Sequence, residues 1–129
     1  MGKHILFVDD EALMRNLVGD VLREQGFQVS LAISGNDGLE SARSCRPDLI
    51  VLDIMMPDMD GFEVCQEIRR DNQLHTIPVV MLTAMDNFKL NEQAFAAGAD
   101  VCMTKPFVPD RLVNMVRTTL LNVTLKNQP

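Results

Sequence analysis

Residues that can bind a metal ion or carry a charge follow several of the short apolar runs in this sequence. They are, in chain order, Asp9 and Asp10, Asp53, Thr83, and Lys105. Three carboxylates brought to one place repel each other, and their pKa values tend upward unless they share a cation. Oxygen ligands of this kind favour Mg²⁺, with Mn²⁺ as the alternative, and Mg²⁺ usually combines one or two carboxylates with waters and a phosphate. If the fold brings these residues together, they predict a magnesium site that handles phosphate.

The same residues are suited to moving a phosphoryl group. A carboxylate beside a metal ion can attack phosphorus and form an acyl phosphate. The transferring group then needs positive charge and hydrogen-bond donors around its oxygens, and Lys105 and Thr83 offer an ammonium and a hydroxyl group. Met55, two residues after Asp53, offers a backbone carbonyl as a further metal ligand. We expect Lys105 to act on the phosphoryl group and to have little part in the fold.

Five short apolar runs alternate with five segments of helical pattern, and this alternation decides whether those residues can meet. The runs cover residues 5–8, 28–32, 48–53, 78–83 and 101–104, and each predicts a buried strand. Strands that alternate with helices form a parallel sheet covered on both faces, and right-handed crossovers make it doubly wound. Ligands bind such sheets beyond the carboxyl ends of the strands. The sequence therefore predicts a five-stranded α/β fold with the polar residues gathered at one edge.

Capping and turn residues set the limits of the predicted helices. Gly26 ends the first helix, whose apolar residues run from Leu13 to Leu22 at helical spacing. The other signals are Ser34 with Asp37 as a capping box before a helix to about Cys45, Asp60-Gly61 before a helix with Phe62, Cys65 and Ile68 on one side, Asp86 as the cap of a helix that ends near Gly98, and Pro109 at the first position of the last helix.

Length and charge limit the class of protein. A chain of 129 residues fits one compact domain, and we expect residues 1–124 to form it, with residues 125–129 as a tail or the start of a linker. The net charge of −6 argues against direct binding to nucleic acid or to an anionic membrane. No apolar run reaches the roughly 18 residues of a membrane span. Three isolated cysteines fit small, buried or half-buried side chains, so we expect a cytoplasmic protein.

The site residues and the segments around them resemble the response-regulator receiver family, the CheY-like domains of two-component signalling. The resemblance runs from Lys3 to Leu121, and its segments are Asp9-Asp10, Asp53, Met55-Met56-Pro57-Asp58-Met59-Asp60-Gly61, Thr83-Ala84, Ala97-Gly98-Ala99-Asp100 and Lys105-Pro106-Phe107. It implies a flavodoxin-like (βα)5 receiver fold with strand order 2-1-3-4-5. It also implies a phosphoacceptor regulator that assists its own phosphorylation and dephosphorylation, and not an enzyme.

The resemblance implies a role for each site residue. Asp53 would be the phosphoacceptor. Asp10 would bind Mg²⁺ directly, Asp9 would bind it directly or through water, and Met55 would bind it by its backbone carbonyl. Thr83 and Ala84 would bind the phosphoryl group and change position on activation, and Lys105, before a cis bond to Pro106, would pair with that group. The donor would be a histidine kinase or a histidine phosphotransfer protein. The signal would pass to a downstream protein, or to an output domain absent from this chain, through the surface around the fourth helix, the fifth strand and the fifth helix.

Cys102 departs from the family pattern. Three residues before the lysine, the family commonly carries an aromatic side chain that turns inward on phosphorylation, and this sequence has a cysteine there. A cysteine has no ring to reposition, so we expect residue 102 to be nearly passive. The switch would then run through Thr83, residues 84–88 and the fourth helix, whose inner face is thin at Ala94 and Ala97.

Two other functions are compatible with parts of the pattern. A phosphohydrolase with an aspartyl-phosphate intermediate, as in the haloacid-dehalogenase group, carries a D-x-D arrangement after the first strand, whereas Asp9 and Asp10 are adjacent here. A receiver-like module that binds partners without phosphate loses an acidic residue or the lysine, and this sequence keeps all of them. Each residue alone also has an ordinary reading, as a helix cap, a loop residue or a solvated charge. Their joint occurrence at four strand ends favours the phosphoacceptor.

Overall fold

The computed structural model describes residues 2–84 and 88–126 and contains five strands that alternate with five helices. In chain order the elements are β1 (His4–Val8), α1 (Ala12–Glu24), β2 (Gln28–Ala32), α2 (Gly35–Cys45), β3 (Leu49–Asp53), α3 (Gly61–Arg70), β4 (Val79–Thr83), α4 (Phe88–Ala96), β5 (Val101–Thr104) and α5 (Pro109–Lys126). Every predicted strand is present, with its limits matched or moved by one residue. The predicted cap Asp86 lies outside the described residues.

The strands form one parallel sheet in the order β2-β1-β3-β4-β5. The chain begins in β1, adds β2 on one side, and then crosses over to build β3, β4 and β5 on the other. β3 and β4 are buried along their whole length, as expected for central strands of a sheet covered on both faces. The doubly wound α/β fold predicted from the sequence is confirmed, and its topological switch lies between β1 and β3.

Two separate apolar layers cover the two faces of the sheet. Alternate side chains of β1 show the division, because Leu6 and Val8 join one layer while Ile5 and Phe7 join the other. The first layer packs against α2, α3 and α4, and the second packs against α1 and α5. Ala94 of α4 and Ala97 just after it are both buried in this first layer, at the two positions that the sequence predicted for the inner face of the fourth helix.

The starts of α2 and α3 follow the capping signals predicted from the sequence. The Ser34 side chain accepts a hydrogen bond from the Asp37 backbone N–H at 3.1 Å and caps α2. The Asp60 side chain caps α3 in the same way. Within α3, however, Phe62 is only half-buried and Val64 is buried. Phe62, Cys65 and Ile68 nevertheless all pack against the first apolar layer, as predicted for one side of this helix, and Val64 is buried there with them.

A single arginine joins three segments at the amino-terminal edge of the sheet. Arg69 of α3 donates hydrogen bonds to the carbonyl oxygens of Gly98 at 2.9 Å, Ile77 at 2.6 Å and His75 at 3.1 Å, and to the Asp100 carboxylate at 2.9 Å. Gly98 has a φ of +109°, and a Cβ there would meet the Arg69 side chain at 2.6 Å. Arg69 thus fixes the segment after α4 to the segment before β4.

None of the described helices is both long enough and apolar enough to span a membrane.

Candidate functional site

The backbone ladder of the sheet continues past the strands and positions the site residues. The Asp9 N–H bonds to the Ala32 carbonyl at 3.1 Å, so Asp9 extends β1 by one residue. On the other side, the Lys105 N–H bonds to the Thr83 carbonyl at 2.6 Å. Asp53 is itself the last residue of β3. The four residues consequently lie at the carboxyl edge of adjacent strands, where doubly wound sheets bind ligands.

The three aspartates form one cluster at this edge. Carboxylate oxygens of Asp9, Asp10 and Asp53 lie within 4.8 Å of one another. Asp9 is fully buried, Asp53 is 6% exposed, and Asp10 is exposed to solvent. The cluster therefore combines two carboxylates shielded from water with one that faces it, which is an open, all-oxygen donor set.

Lys105 supplies the positive charge next to these carboxylates. Its Nζ atom lies 3.1 Å from Asp9 Oδ2 and 3.6 Å from Asp53 Oδ1. Among the described residues, Lys105 is the one cation in ion-pairing distance of the two buried carboxylates. The pairing of Lys105 with the buried Asp9 is a contact that the sequence analysis did not include, and the expectation that Lys105 has little part in the fold stays a prediction.

The surroundings of Asp53 shift the pKa of its carboxyl group. The pKa of the Asp53 carboxyl group is raised to about 6, with burial as the largest cause. The attraction of Lys105 and a hydrogen bond from the Met55 N–H act to lower this pKa, and the charges of Asp9 and Asp10 act to raise it. One ammonium does not offset three carboxylates, so a divalent cation would stabilise the cluster. The donor set fits Mg²⁺, with Asp9, Asp10 and Asp53 as the residues that would hold it.

The loop after β3 begins next to the aspartate cluster. The Met55 N–H faces Asp53 Oδ1 at 3.4 Å, while the Met55 side chain points largely into solvent. The Gly61 N–H bonds to the Ile54 carbonyl at 2.8 Å and closes the base of the loop. A Cβ at Gly61 would lie 2.7 Å from the Asp53 carbonyl oxygen. Glycine at position 61 therefore allows the loop to return directly beneath the phosphoacceptor candidate.

The remaining predicted residues lie on the β4–β5 side of the site. Thr83 is buried at the end of β4, Ala84 is exposed, and the Lys105–Pro106 peptide bond is cis. Cys102 is half-buried, packs against the layer that includes α4, and donates its thiol hydrogen to Asn91 Oδ1 at 3.2 Å. Of the predicted switch segment 84–88, residues 85–87 lie outside the described residues.

Sequence reasoning missed two polar residues near the site. Arg15 Nη1 donates to the Asp9 carbonyl oxygen at 2.8 Å. Asp58, in the loop after β3, accepts hydrogen bonds from the backbone of Gly35 and Asn36. The position of Arg15 in the first turn of the predicted helix was an available signal. No periodicity marks Asp58, because it lies in a loop and contacts a segment more than twenty residues away.

Four large apolar side chains at the carboxyl edge of the sheet are exposed on the protein surface. Leu13, Ile33, Met55 and Val108 expose between 59% and 83% of their surface. They follow β1, β2, β3 and β5 respectively, so all four lie at the carboxyl edge. We refer to these four residues as the apolar rim. Exposed apolar side chains gathered around a polar site are typical of a surface that another protein covers.

Known proteins resemble this chain in both sequence and structure. The family model of the response regulator receiver domain matches residues 5–117. The DNA-binding dual master transcriptional regulator RpaA of Synechocystis is 42% identical over 116 residues, which are 90% of this chain and 48% of that protein. The DNA-binding response regulator MtrA of Mycobacterium tuberculosis is 39% identical over 120 residues, which are 93% of this chain and 51% of that protein.

A solved structure of the chemotaxis protein CheY4 of Vibrio cholerae superposes with a TM-score of 0.89 at 31% identity and covers 92% of this chain and 99% of that one. The chain spans about half the length of the curated relatives it matches. The fold, the carboxyl-edge cluster and these matches agree, and the chain belongs to the response regulator receiver domain family of two-component signalling.

Proposed function

We propose that Asp53 accepts a phosphoryl group from a histidine kinase or a histidine phosphotransfer protein in a Mg²⁺-dependent reaction. The observation that carries this proposal is the position of Asp53, buried at the end of β3 among two further carboxylates and 3.6 Å from the Lys105 ammonium. Asp9, Asp10, Asp53 and the Met55 backbone carbonyl would hold Mg²⁺, with Mn²⁺ as the alternative. The protein then acts as a phosphoacceptor regulator that assists its own phosphorylation and dephosphorylation.

The chemistry follows from the protonation state and the neighbours of Asp53. With its pKa raised to about 6, the carboxyl group is ionised at neutral pH and is a stronger base than an ordinary aspartate. One Asp53 oxygen attacks phosphorus, the bond from phosphorus to the donor imidazole nitrogen breaks, and the electron pair of that bond leaves with the imidazole. A bound metal ion supplies positive charge that offsets repulsion between the phosphoryl oxygens and the carboxylates.

Lys105 and Thr83 are the residues proposed to hold the transferred group. Lys105 already faces Asp53 Oδ1, so its ammonium can pair with an oxygen of a phosphoryl group attached there. Thr83 lies at the end of the neighbouring strand, where its hydroxyl group and the Ala84 backbone are proposed to bind the phosphoryl group and switch. The movement would alter the surface around α4, β5 and α5.

The apolar rim supports a protein as the phosphoryl donor. A small-molecule donor would leave Leu13, Ile33, Met55 and Val108 exposed, whereas a protein docked over Asp53 would bury them. The downstream partner is proposed to be a separate protein or an output domain absent from this chain. We also propose that residues 1–124 form the receiver domain, that the protein is cytoplasmic, and that it does not contact nucleic acid or membrane itself.

Intact-mass measurement after incubation with acetyl phosphate and Mg²⁺ tests the assignment. We expect the wild-type protein to gain one phosphoryl group, Asp53→Asn to gain none, and Asp20→Asn, an exposed site on α1, to behave as wild type. Omission of Mg²⁺ with EDTA should prevent the gain. If Asp53→Asn is labelled as readily as wild type, the assignment is wrong. If the protein gains no phosphoryl group but binds a partner equally well with and without beryllofluoride, it is a phosphate-independent module. Turnover of a small phosphate ester would instead indicate a phosphohydrolase.

A further inference from the structure

The loop from Met55 to Asp60 is held at two places. Its base is closed by the hydrogen bond from the Gly61 N–H to the Ile54 carbonyl at 2.8 Å. Its tip is held by Asp58, whose Oδ1 accepts from the Gly35 N–H and whose Oδ2 accepts from the Asn36 N–H, each at 3.0 Å. We refer to residues 55–60 as the β3–α3 loop. The loop is thus tied to the start of α2, an element that contributes no residue to the aspartate cluster.

The hydrogen bonds to Asp58 join a carboxylate to backbone N–H groups at the start of a helix, which is a favourable combination. The first N–H groups of a helix lack partners within the helix, and the helix dipole favours negative charge there. The hydrogen bond from Asn36 is the largest of the effects that lower the pKa of Asp58, so the ionised carboxylate is the form that the structure favours. Packing supports the same contact, because a Cβ at Gly35 would lie 2.8 Å from the Cβ of Met59. The loop and the helix end therefore meet closely.

Helix α2 has capping bonds of its own besides those to Asp58. Ser34 accepts from the Asp37 N–H at 3.1 Å, and Asp37 Oδ2 accepts from the Ile33 N–H at 2.9 Å. These two bonds hold the start of α2 from within its own segment, while Asp58 accepts from the Gly35 and Asn36 N–H groups of the same turn. Loss of Asp58 therefore leaves α2 with its Ser34 cap, whereas the β3–α3 loop keeps only the side-chain bonds at Asp53 and Glu63 among the described residues.

We propose that Asp58 is a positioning residue for the metal site. By holding the tip of the β3–α3 loop on α2, it restrains the loop and thereby the backbone of Met55, whose N–H faces Asp53 Oδ1 at 3.4 Å. This inference rests on the proposed function, which gives the Met55 carbonyl its part in binding Mg²⁺. Residues that orient metal ligands in this way typically change metal affinity by about 10-fold to 100-fold when removed.

Magnesium titration by calorimetry and amide hydrogen exchange in EDTA test the proposal together. We expect Asp58→Ala to weaken Mg²⁺ binding about tenfold and to speed amide exchange in residues 55–60 of the metal-free protein. Asp58→Asn keeps one acceptor oxygen, so we expect a smaller loss of affinity. The exchange measurement reports on the loop without any metal present.

Ser34→Ala is the matched control, because it removes a cap from the same helix end and leaves the loop tie in place. We expect this variant to unfold at lower urea concentration but to bind Mg²⁺ within about twofold of wild type. Equal loss of Mg²⁺ affinity in Ser34→Ala and Asp58→Ala would overturn the proposal, since fraying of α2 would then explain both. Wild-type affinity and wild-type exchange in Asp58→Ala would overturn it as well.

The wild-type titration separates this inference from the proposed function. If the wild-type protein binds Mg²⁺, with Asp10→Ala weakening it, and Asp58→Ala binds equally well, the positioning role alone is refuted. If the wild-type protein binds no Mg²⁺, the proposed metal site is refuted and the role of Asp58 with it.

Discussion

Replacement of Asp53 by asparagine should stabilise the metal-free protein. The carboxylate is buried beside two others, and its pKa is raised from 3.8 to about 6 by burial first and by Asp9 and Asp10 in addition. Asparagine has nearly the same shape and carries no charge, so it removes the repulsion without opening a cavity. A residue proposed to be necessary for function is thus expected to be unfavourable for the stability of the fold.

The magnitude and its pH dependence follow from linkage. A folded-state pKa raised above the unfolded value means that the contribution of the neutral carboxyl is fully present below about pH 3.8 and is lost as the pH rises to about 6. A shift of about two pKa units corresponds to roughly 3 kcal/mol. The advantage of Asp53→Asn over wild type should therefore be about 1.5 kcal/mol at pH 5 and should reach about 3 kcal/mol at pH 7.5.

Urea unfolding in EDTA, followed by circular dichroism, measures this difference. The protein has no tryptophan or tyrosine, so intrinsic fluorescence is a poor probe. Asp20→Asn, which removes an exposed charge from α1, is the control and should stay within about 0.5 kcal/mol of wild type. Saturating Mg²⁺ should stabilise the wild-type protein by about 2.7 kcal/mol at a hundredfold excess over Kd, and it should therefore reduce the difference in stability between wild type and Asp53→Asn. Equal stability of Asp53→Asn and wild type at both pH values would refute the reasoning.

Three further substitutions test other contacts of the structure. Lys105→Ala leaves its two carboxylate partners without their ammonium, so urea unfolding should show a loss of about 1–3 kcal/mol, and an unchanged midpoint would contradict a role in the fold. Gly61→Ala places a Cβ 2.7 Å from the Asp53 carbonyl oxygen; thermal unfolding should show a loss of about 1–3 kcal/mol, and wild-type stability would mean that the loop shifts freely. Arg69→Ala removes four hydrogen bonds and should lower the free energy of unfolding, measured with urea, by about 2–3 kcal/mol. Arg70→Ala, at an exposed site, should lower it by less than about 0.5 kcal/mol, and equal effects of the two substitutions would refute the structural role of Arg69.

The sheet and its aspartate cluster were accessible from the sequence for a physical reason. Buried parallel strands are continuous apolar runs, so residues 48–53 and 78–83 can be recognised as strands from their own sequence, without knowledge of the strands beside them. Parallel strands also end at a common edge, so the residues at or just after the end of each run predict the site directly. The meeting of Asp9 with Asp53 follows from topology alone, and no side-chain detail is needed.

The contacts that the sequence did not reveal join segments distant in the chain through loops. Asp58 reaches α2, and Arg69 reaches the segment around Gly98. Both contacts depend on the paths of loops, which leave no periodic pattern. The pairing of Lys105 with the buried Asp9 was missed for a related reason, since burial of an individual aspartate at a strand end depends on how the adjacent loops cover it.

Helix α4 is held at its carboxyl-terminal end by Arg69 and nearer its start by the hydrogen bond from Cys102 to Asn91, so a rotation of α4 about its carboxyl-terminal end would move Asn91 relative to Cys102. The carboxyl-terminal residue of α4, Ala96, lies two residues before the Gly98 carbonyl that Arg69 holds, and Phe88 lies about 12 Å from Ala96 along the helix axis. A rigid rotation of about 10° around the carboxyl-terminal end would displace the first turn by roughly 2 Å and leave Gly98 in place. A spectroscopic label near residue 89 would report such a rotation with far greater amplitude than a label near residue 96, and the ratio of the two displacements would locate the pivot.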